Sequence, residues 1–382
     1  MSTLFSPTTI RSLKLGNRFV RSATWEGMAD DNGGVTQQLT ACMAALARGR
    51  VGLIISGHAY VSRIGKASPH QLAVHGNGCT KGLLDLTEAV HREGGSIALQ
   101  LAHGGANANA KASGLEPMGP SVMTNDDGAP KNREMTSIDL ADTVHAFAQA
   151  ARRAKESGFD AVQLHAAHGY LLSEFLSPAY NRREDTYGGS LENRARLLLE
   201  VVEAVRGEVG PDYPVLVKMN SEDFIPGGLS TGEALRVAAM LEEKGVDGIE
   251  FSGGIPAGEH IPIRVGQFKG FETEAWYKET ARRFKAERSI PLMLVGGIRS
   301  YETAEKLVDE GWCDYVSMSR PLIREPGLIK RWKEGDHRPA TCISDNLCFR
   351  PAMIGRGTYC VTDERERKKQ EGASANEPEH YS

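Results

Sequence analysis

No apolar run in the 382 residues reaches the length needed to span a bilayer, so no helical membrane anchor is expected. Basic charge is not in excess either. With 45 Lys and Arg against 49 Asp and Glu, the formal net charge is −4 and the pI near 6.3. That balance excludes the electrostatic footprint of a nucleic-acid binder or a polybasic membrane binder. Cysteine is scarce: six thiols scattered over a long chain fit a reducing cytoplasm better than a disulfide scaffold. The opening MSTLFSPTTIRSLKLGN carries no apolar signal core and no A-x-A cleavage site, so a cytoplasmic location is expected. The partners implied are small-molecule substrates. The oligomeric state is left open, a homo-oligomer among the options.

What is present is enough apolar residue, 40%, to build a sizeable core. Eight short apolar runs read as strands: 18–23, 51–56, 96–101, 160–165, 214–219, 247–252, 291–296 and 314–319. Between them lie helix-like segments at 36–48, 80–92, 138–155, 191–206, 230–244, 274–285, 300–310 and 326–334. In the fourth, Leu191, Ala195, Leu198, Leu199, Val202 and Val205 recur at helical spacing. Eight such alternations imply an α/β fold, a (β/α)8 TIM barrel. An open doubly wound sheet would want a Gly-rich fingerprint after the first strand, and RSATWEGMAD has none. The expected organisation is a barrel over 1–340, a cysteine-containing segment over 341–362 packed on or near it, and a flexible, highly charged tail over 363–382. The polar, Gly-rich stretch from His103 to Thr136 reads as an excursion over the active-site mouth.

In such a barrel, function gathers where strands end. After the fourth strand comes His165-Ala-Ala-His168-Gly-Tyr170. Two imidazoles and a phenol there can grip an electronegative atom and deliver a proton. Taken alone, the same residues could be capping or core histidines beside a packed tyrosine. Gly296 and Gly297 follow the seventh strand and open a helix; Ser319 and Arg320 follow the eighth. Glycines let backbone approach a phosphate, and helix N–H groups plus a guanidinium neutralise it. A structural turn with a surface arginine is the alternative. Lys218 places a cation at the fifth strand's end.

The run HAAHGYLLSEFLSPAYNRREDTYGGSLENRAR closely resembles the Old Yellow Enzyme family of FMN-dependent NAD(P)H:flavin oxidoreductases, and the resemblance extends from NRFVRSAT at Asn17 to SRPLIREP at Ser319. It implies non-covalent FMN, with NADH or NADPH as co-substrate. In the family the histidine pair binds a substrate carbonyl or nitro oxygen, the tyrosine donates the proton, and reduced FMN donates the hydride. His165, His168 and Tyr170 match these positions. The resemblance also places Gly296, Gly297, Ser319 and Arg320 at the FMN phosphate and Gln100 at the flavin pyrimidine edge. It puts Lys218 where a basic residue, often arginine, lies beside the flavin. Ala23 and Thr24 fall next to the flavin. Trp25 takes the position that tunes its potential, usually threonine or cysteine, unless a one-residue shift gives that role to Thr24. Trp25 is also a candidate for packing beside the substrate or the flavin, or for ordinary core.

Cys342, Cys348 and Cys360 resemble the cluster segment of the larger dienoyl-CoA reductase branch, but Asp345 stands in place of one cysteine and the spacing is one residue short. A [4Fe–4S] cluster normally uses four thiolates, and three thiolates with a carboxylate could hold zinc instead. Free thiols and no metal are expected. The chain ends after the barrel, so the FAD- and NAD-binding domains of that branch are not expected. The resemblance implies an ene-reductase acting on α,β-unsaturated carbonyl or nitro compounds. Rival readings are another flavin chemistry on the same barrel, such as amine dehydrogenation or dienoyl-CoA reduction, a low-turnover flavin-binding protein, or a flavin-free barrel lyase.

Overall fold

The computed structural model describes residues 2–374 apart from Asp126, Ala257, Glu259, His260 and Gln267. Eight strands form its centre: β1 (Phe19–Arg21), β2 (Leu53–Ile55), β3 (Ile97–Ala102), β4 (Ala161–Ala166), β5 (Val215–Asn220), β6 (Gly248–Ser252), β7 (Leu292–Leu294) and β8 (Tyr315–Met318). Each pairs in parallel with the next, and β8 pairs with β1. The ring is closed, as expected from eight alternations. Every strand is buried along its whole length. That is why the runs are continuously apolar instead of alternating.

Helices follow the strands: α1 (Gln37–Arg48), α2 (Thr80–Arg92), α3 (Ser137–Glu156), α4 (Leu191–Val209), α5 (Thr231–Glu243), α6 (Lys278–Glu287), α7 (Tyr301–Asp309) and α8 (Leu328–Lys333). Two begin at capping boxes, Thr136 with Asp139 and Ser230 with Glu233. Each cap stabilises its helix by roughly 0.5–2 kcal/mol. The stripe of α4 is buried at Leu191, Ala195, Leu198, Val202 and Val205, with Leu199 half-buried.

The barrel is plugged at one end. An antiparallel hairpin, Thr8–Ile10 with Leu13–Leu15, inserts Ile10, Leu13 and Leu15 among Val20, Leu53, Ala98, Ala161, Leu216 and Met293. These inward-facing residues form an apolar cluster of their own. Truncating one of them, such as Leu216→Ala, should cost about 2–5 kcal/mol. A polar site can then only open at the opposite, C-terminal end of the strands.

Two expectations are corrected. The helix read from Glu274 begins at Lys278. The Glu274 carboxylate instead accepts the backbone N–H groups of Arg299 (3.0 Å) and Ser300 (3.1 Å), and Ala275 adopts φ +52°. Of the tail expected to be flexible from Asp363, the described part belongs to a helix over Val361–Ser374; residues 375–382 lie outside the described residues. Opposite charges at i,i+4 support that helix: Asp363 with Arg367 (3.1 Å) and Glu364 with Lys368 (2.8 Å). The excursion from His103 to Thr136 is tied to the flank of the barrel. The Ala106 N–H bonds to Glu174 (3.1 Å), and Arg183 donates to the carbonyls of Pro120 (3.1 Å) and Met135 (2.8 Å).

Candidate active site

A cavity of about 620 Å³ opens at the C-terminal end of the strands, within the usual range for small-molecule sites. All twelve residues singled out in the sequence line it: Ala23, Thr24, Trp25, Gln100, His165, His168, Tyr170, Lys218, Gly296, Gly297, Ser319 and Arg320. None of the described residues of the 103–136 excursion does so. The mouth is instead walled by Pro256, Ile261 and Ile263, which follow β6.

His165 is the penultimate residue of β4. The chain then reverses through two left-handed residues, His168 (φ +63°) and Gly169 (φ +75°). A left-handed histidine costs of order 1–3 kcal/mol and persists only where its surroundings fix it. Asn220, at the end of β5, accepts the His168 N–H at 3.1 Å, and His168 Nε2 lies 2.7 Å from Ser252 Oγ at the end of β6. The turn thereby brings the rings of His165 and His168 to 5.4 Å and those of His165 and Tyr170 to 4.9 Å. Burial, with smaller contributions from Lys218 and His58, holds both histidines well below the usual imidazole range. They are neutral at physiological pH. His165 Nδ1 accepts the Ala167 N–H at 3.3 Å, so its own proton sits on Nε2. Burial also pushes the Tyr170 phenol up to about 12.

A buried polar chain crosses the barrel floor of the site. Gln100 donates to Gln163 (2.7 Å), Gln163 to Glu250 (3.0 Å), and Glu250 pairs with Lys218 (3.3 Å), which donates to Ser22 (2.8 Å). The strand register makes this layer: Gln100 lies opposite Gln163, and Lys218 opposite both His165 and Glu250. Lys218 is thus matched by a fully buried carboxylate. Removing either partner of such a pair is far costlier than the pair itself is stabilising.

The opposite wall is cationic and backbone-lined. Gly296 (φ +136°) and Gly297 (φ +71°) follow β7, and a Cβ on Gly297 would lie 2.6 Å from the Trp276 indole. Arg320 Nη1 reaches Asn346 Oδ1 (2.7 Å) and the Arg264 carbonyl (2.8 Å). A second guanidinium, Arg299, donates to the Cys342 carbonyl (2.7 Å) and to Ser344 Oγ (2.6 Å). Thr24 Oγ1 lies 2.7 Å from Ser319 Oγ and 3.0 Å from the Ser22 carbonyl, whereas the buried Trp25 indole N–H has no partner. The cavity therefore offers amide and ammonium groups at one end, and two guanidiniums with a glycine cradle at the other. Ser317 Oγ and Trp276 Nε1 line it without partners of their own. This donor set fits a flavin mononucleotide: a ring with a polar edge and one phosphate.

Several lining residues carried little sequence signal. His58 follows β2, and its ring stands 5.5 Å from that of Tyr170. Glu250 had a visible sign, an acid inside the apolar run GIEFS. Trp276 and Tyr277 were hidden in the segment misread as helix. Cys342, Cys348 and Cys360 converge with Asp345 on a small recess beside Arg320. Burial pushes the Cys348 thiol up to about 12 and the Cys360 thiol upward, so neither is readily ionised. Among the described residues, no group of three or more His, Cys, Asp or Glu is arranged to hold a metal ion.

Residues 3–338 match the NADH:flavin oxidoreductase / NADH oxidase family. An NADPH dehydrogenase from Geobacillus thermodenitrificans is 38% identical over 85% of this chain and 92% of its own. An NADH oxidase from Thermoanaerobacter brockii is 36% identical over 90% of this chain, which spans only 53% of it. Among solved structures, a 2-naphthoyl-CoA reductase in complex with 2-naphthoyl-CoA superimposes with a TM-score of 0.88 at 30% identity, over 100% of this chain and 60% of that one. The Old Yellow Enzyme homologue of Zymomonas mobilis gives 0.76 at 26% identity, over 94% and 98%. Among the described residues no helix is long and apolar enough to cross a membrane. The chain belongs to the NADH:flavin oxidoreductase / NADH oxidase family, the Old Yellow Enzyme family of oxidoreductases, whose cofactor is FMN and whose reductant is NAD(P)H.

Proposed function

We propose that the protein reduces the activated C=C bond of α,β-unsaturated carbonyl or nitro compounds. The observation carrying this reading is the clustering of two neutral imidazoles and a protonated phenol on one turn beside the flavin-fitting cavity. FMN held there supplies a hydride drawn from NADH or NADPH. Lys218 and Gln100 fit the polar edge of its ring, and Gly296, Gly297, Ser319 and Arg320 its phosphate. His165 Nε2–H and the His168 ring hold the substrate oxygen. Negative charge grows on that oxygen as the β-carbon is reduced, so hydrogen bonds to it lower the barrier. Neutral rings suit this task, because they donate without giving up a proton to the enolate oxygen. Tyr170 then protonates the α-carbon. Ile261, Ile263 and Pro256 give the substrate's remainder an apolar wall.

The likeness to the 2-naphthoyl-CoA reductase along the whole chain, cysteine segment included, favours a second reading, a CoA thioester as substrate. FMN-loaded protein, reduced anaerobically with NADH or NADPH, decides between them. Reoxidation by cyclohexenone or a nitroalkene, with stoichiometric saturated product, supports the first reading. Reoxidation by an enoyl- or aryl-CoA alone supports the second. Failure with both leaves a flavin-binding protein and overturns the proposal.

A further inference from the structure

We infer that Ser68 and His58 are positioning residues for Tyr170: their side chains fix the phenol oxygen and stabilise the negative charge it acquires when its proton leaves. The inference rests on the proposed role of Tyr170 and adds two groups to it. His58 Nε2 lies 3.5 Å from Tyr170 Oη, and Ser68 stands close enough to the same oxygen to favour its ionised form. Both residues line the cavity. They come from one segment after β2, and a single buried side chain locks them together. Gln71 Oε1 accepts the backbone N–H groups of Ala67 (2.7 Å) and Ser68 (3.1 Å), while its Nε2 donates to the His58 carbonyl (3.1 Å). A fully buried carboxamide spending all three bonds on this clamp sets the spacing between the two donors before any substrate binds.

The chemistry needs such donors. Burial makes Tyr170 a weaker acid than a phenol in water, and the neighbouring Ser68 acts in the opposite direction. Burial also holds His58 down at about 4, so its ring is neutral and can present an N–H, not a cation, to the oxygen. The other titratable ring facing Tyr170 is His165, itself neutral. Lys218 acts on His165 and His168. In the step, the Tyr170 O–H bond breaks and its proton forms the new C–H bond at the α-carbon. The electron pair stays on the phenolate oxygen, which accepts hydrogen bonds from Ser68 Oγ–H and His58 Nε2–H. Water restores the proton afterwards, and nothing is oxidised or reduced in this transfer.

The test is a cycle of Ser68→Ala and Tyr170→Phe in the FMN-loaded enzyme, read by rapid mixing of the reduced protein with an enone. Ser68→Ala should slow reoxidation by about 10–100-fold, the loss of one hydrogen bond to a charge-bearing oxygen. It should also move the alkaline limb of that half-reaction to higher pH, and leave reduction by NAD(P)H unchanged. Ser68→Thr should restore both rate and pH profile. In the Tyr170→Phe background the Ser68→Ala change should cost nothing further, because its target is gone. An equal cost in both backgrounds, or an unmoved alkaline limb, overturns the inference. A wild-type reoxidation rate in Tyr170→Phe alone would refute the role of Tyr170 itself. Loss in Tyr170→Phe with none in Ser68→Ala refutes only the inference drawn here.

Discussion

Arg320 shows how one side chain serves two structures at once. Its guanidinium is buried, which disfavours its charge, yet the groups its Nη1 reaches are a carbonyl and an amide, not a carboxylate. A cation so placed is suited to an anion from outside. Arg320→Ala should weaken FMN binding by about 1.5–3 kcal/mol, the range for hydrogen bonds to charged groups. Arg320→Lys should recover only part of that, since an ammonium lacks the planar fork. Fluorescence titration of the apoprotein with FMN measures both, and unchanged affinity in Arg320→Ala would remove it from the phosphate site. At this scale the sequence revealed residues whose type is improbable in its setting: two histidines and a tyrosine on one turn, a lysine ending an apolar strand. His58 was invisible for the converse reason. A single histidine after a strand is ordinary, and only the parallel pairing of β2, β3 and β4 brings it to Tyr170.

At the scale of elements, the short helix Leu171–Leu176 carries the site's turn on one side and the 103–136 excursion on the other. Glu174 is the link, fully buried, and burial pushes its carboxyl up to about 8. In the unfolded chain it ionises near the ordinary value of 4.5. Below that value both states hold the proton and nothing is lost. As pH rises from there to about 8, the unfolded chain releases the proton first, so folding stability falls. Glu174→Gln, which cannot ionise, should therefore match wild type near pH 4 and become the more stable protein as pH rises, with the gap levelling off above about 8. Denaturant midpoints across that range check this; a gap independent of pH would mean that Glu174 is ionised in the fold. The strands themselves were legible because burial on both faces leaves continuous apolar runs between Gly and Pro breaks. The lost elements fail on the same physics. The run Glu274–Tyr277 has helical composition but spends its acid on two backbone N–H groups of the next loop. The helix Val361–Ser374 has no apolar stripe and is supported by ion pairs, including Arg324 with Glu366.

For the whole molecule, barrel closure converts separate sequence signals into one site. The hairpin plug fills one end with apolar side chains, and the polar layer from Gln100 to Lys218 crosses beneath the other. The barrel and the gathering of site residues at its C-terminal end followed from the pattern of the chain. Which substrate the cavity takes did not, because its outer wall is built from a segment without a repeating pattern. In the proposed reaction this assembly delivers a hydride from the flavin side and a proton from Tyr170. Rapid-mixing kinetics of Tyr170→Phe, with the two half-reactions measured separately, test it most directly. Reduction by NAD(P)H should run at the wild-type rate, and reoxidation by a simple enone should slow by about 10²–10⁴-fold, the loss of a positioned general acid. Reoxidation at the wild-type rate would contradict it.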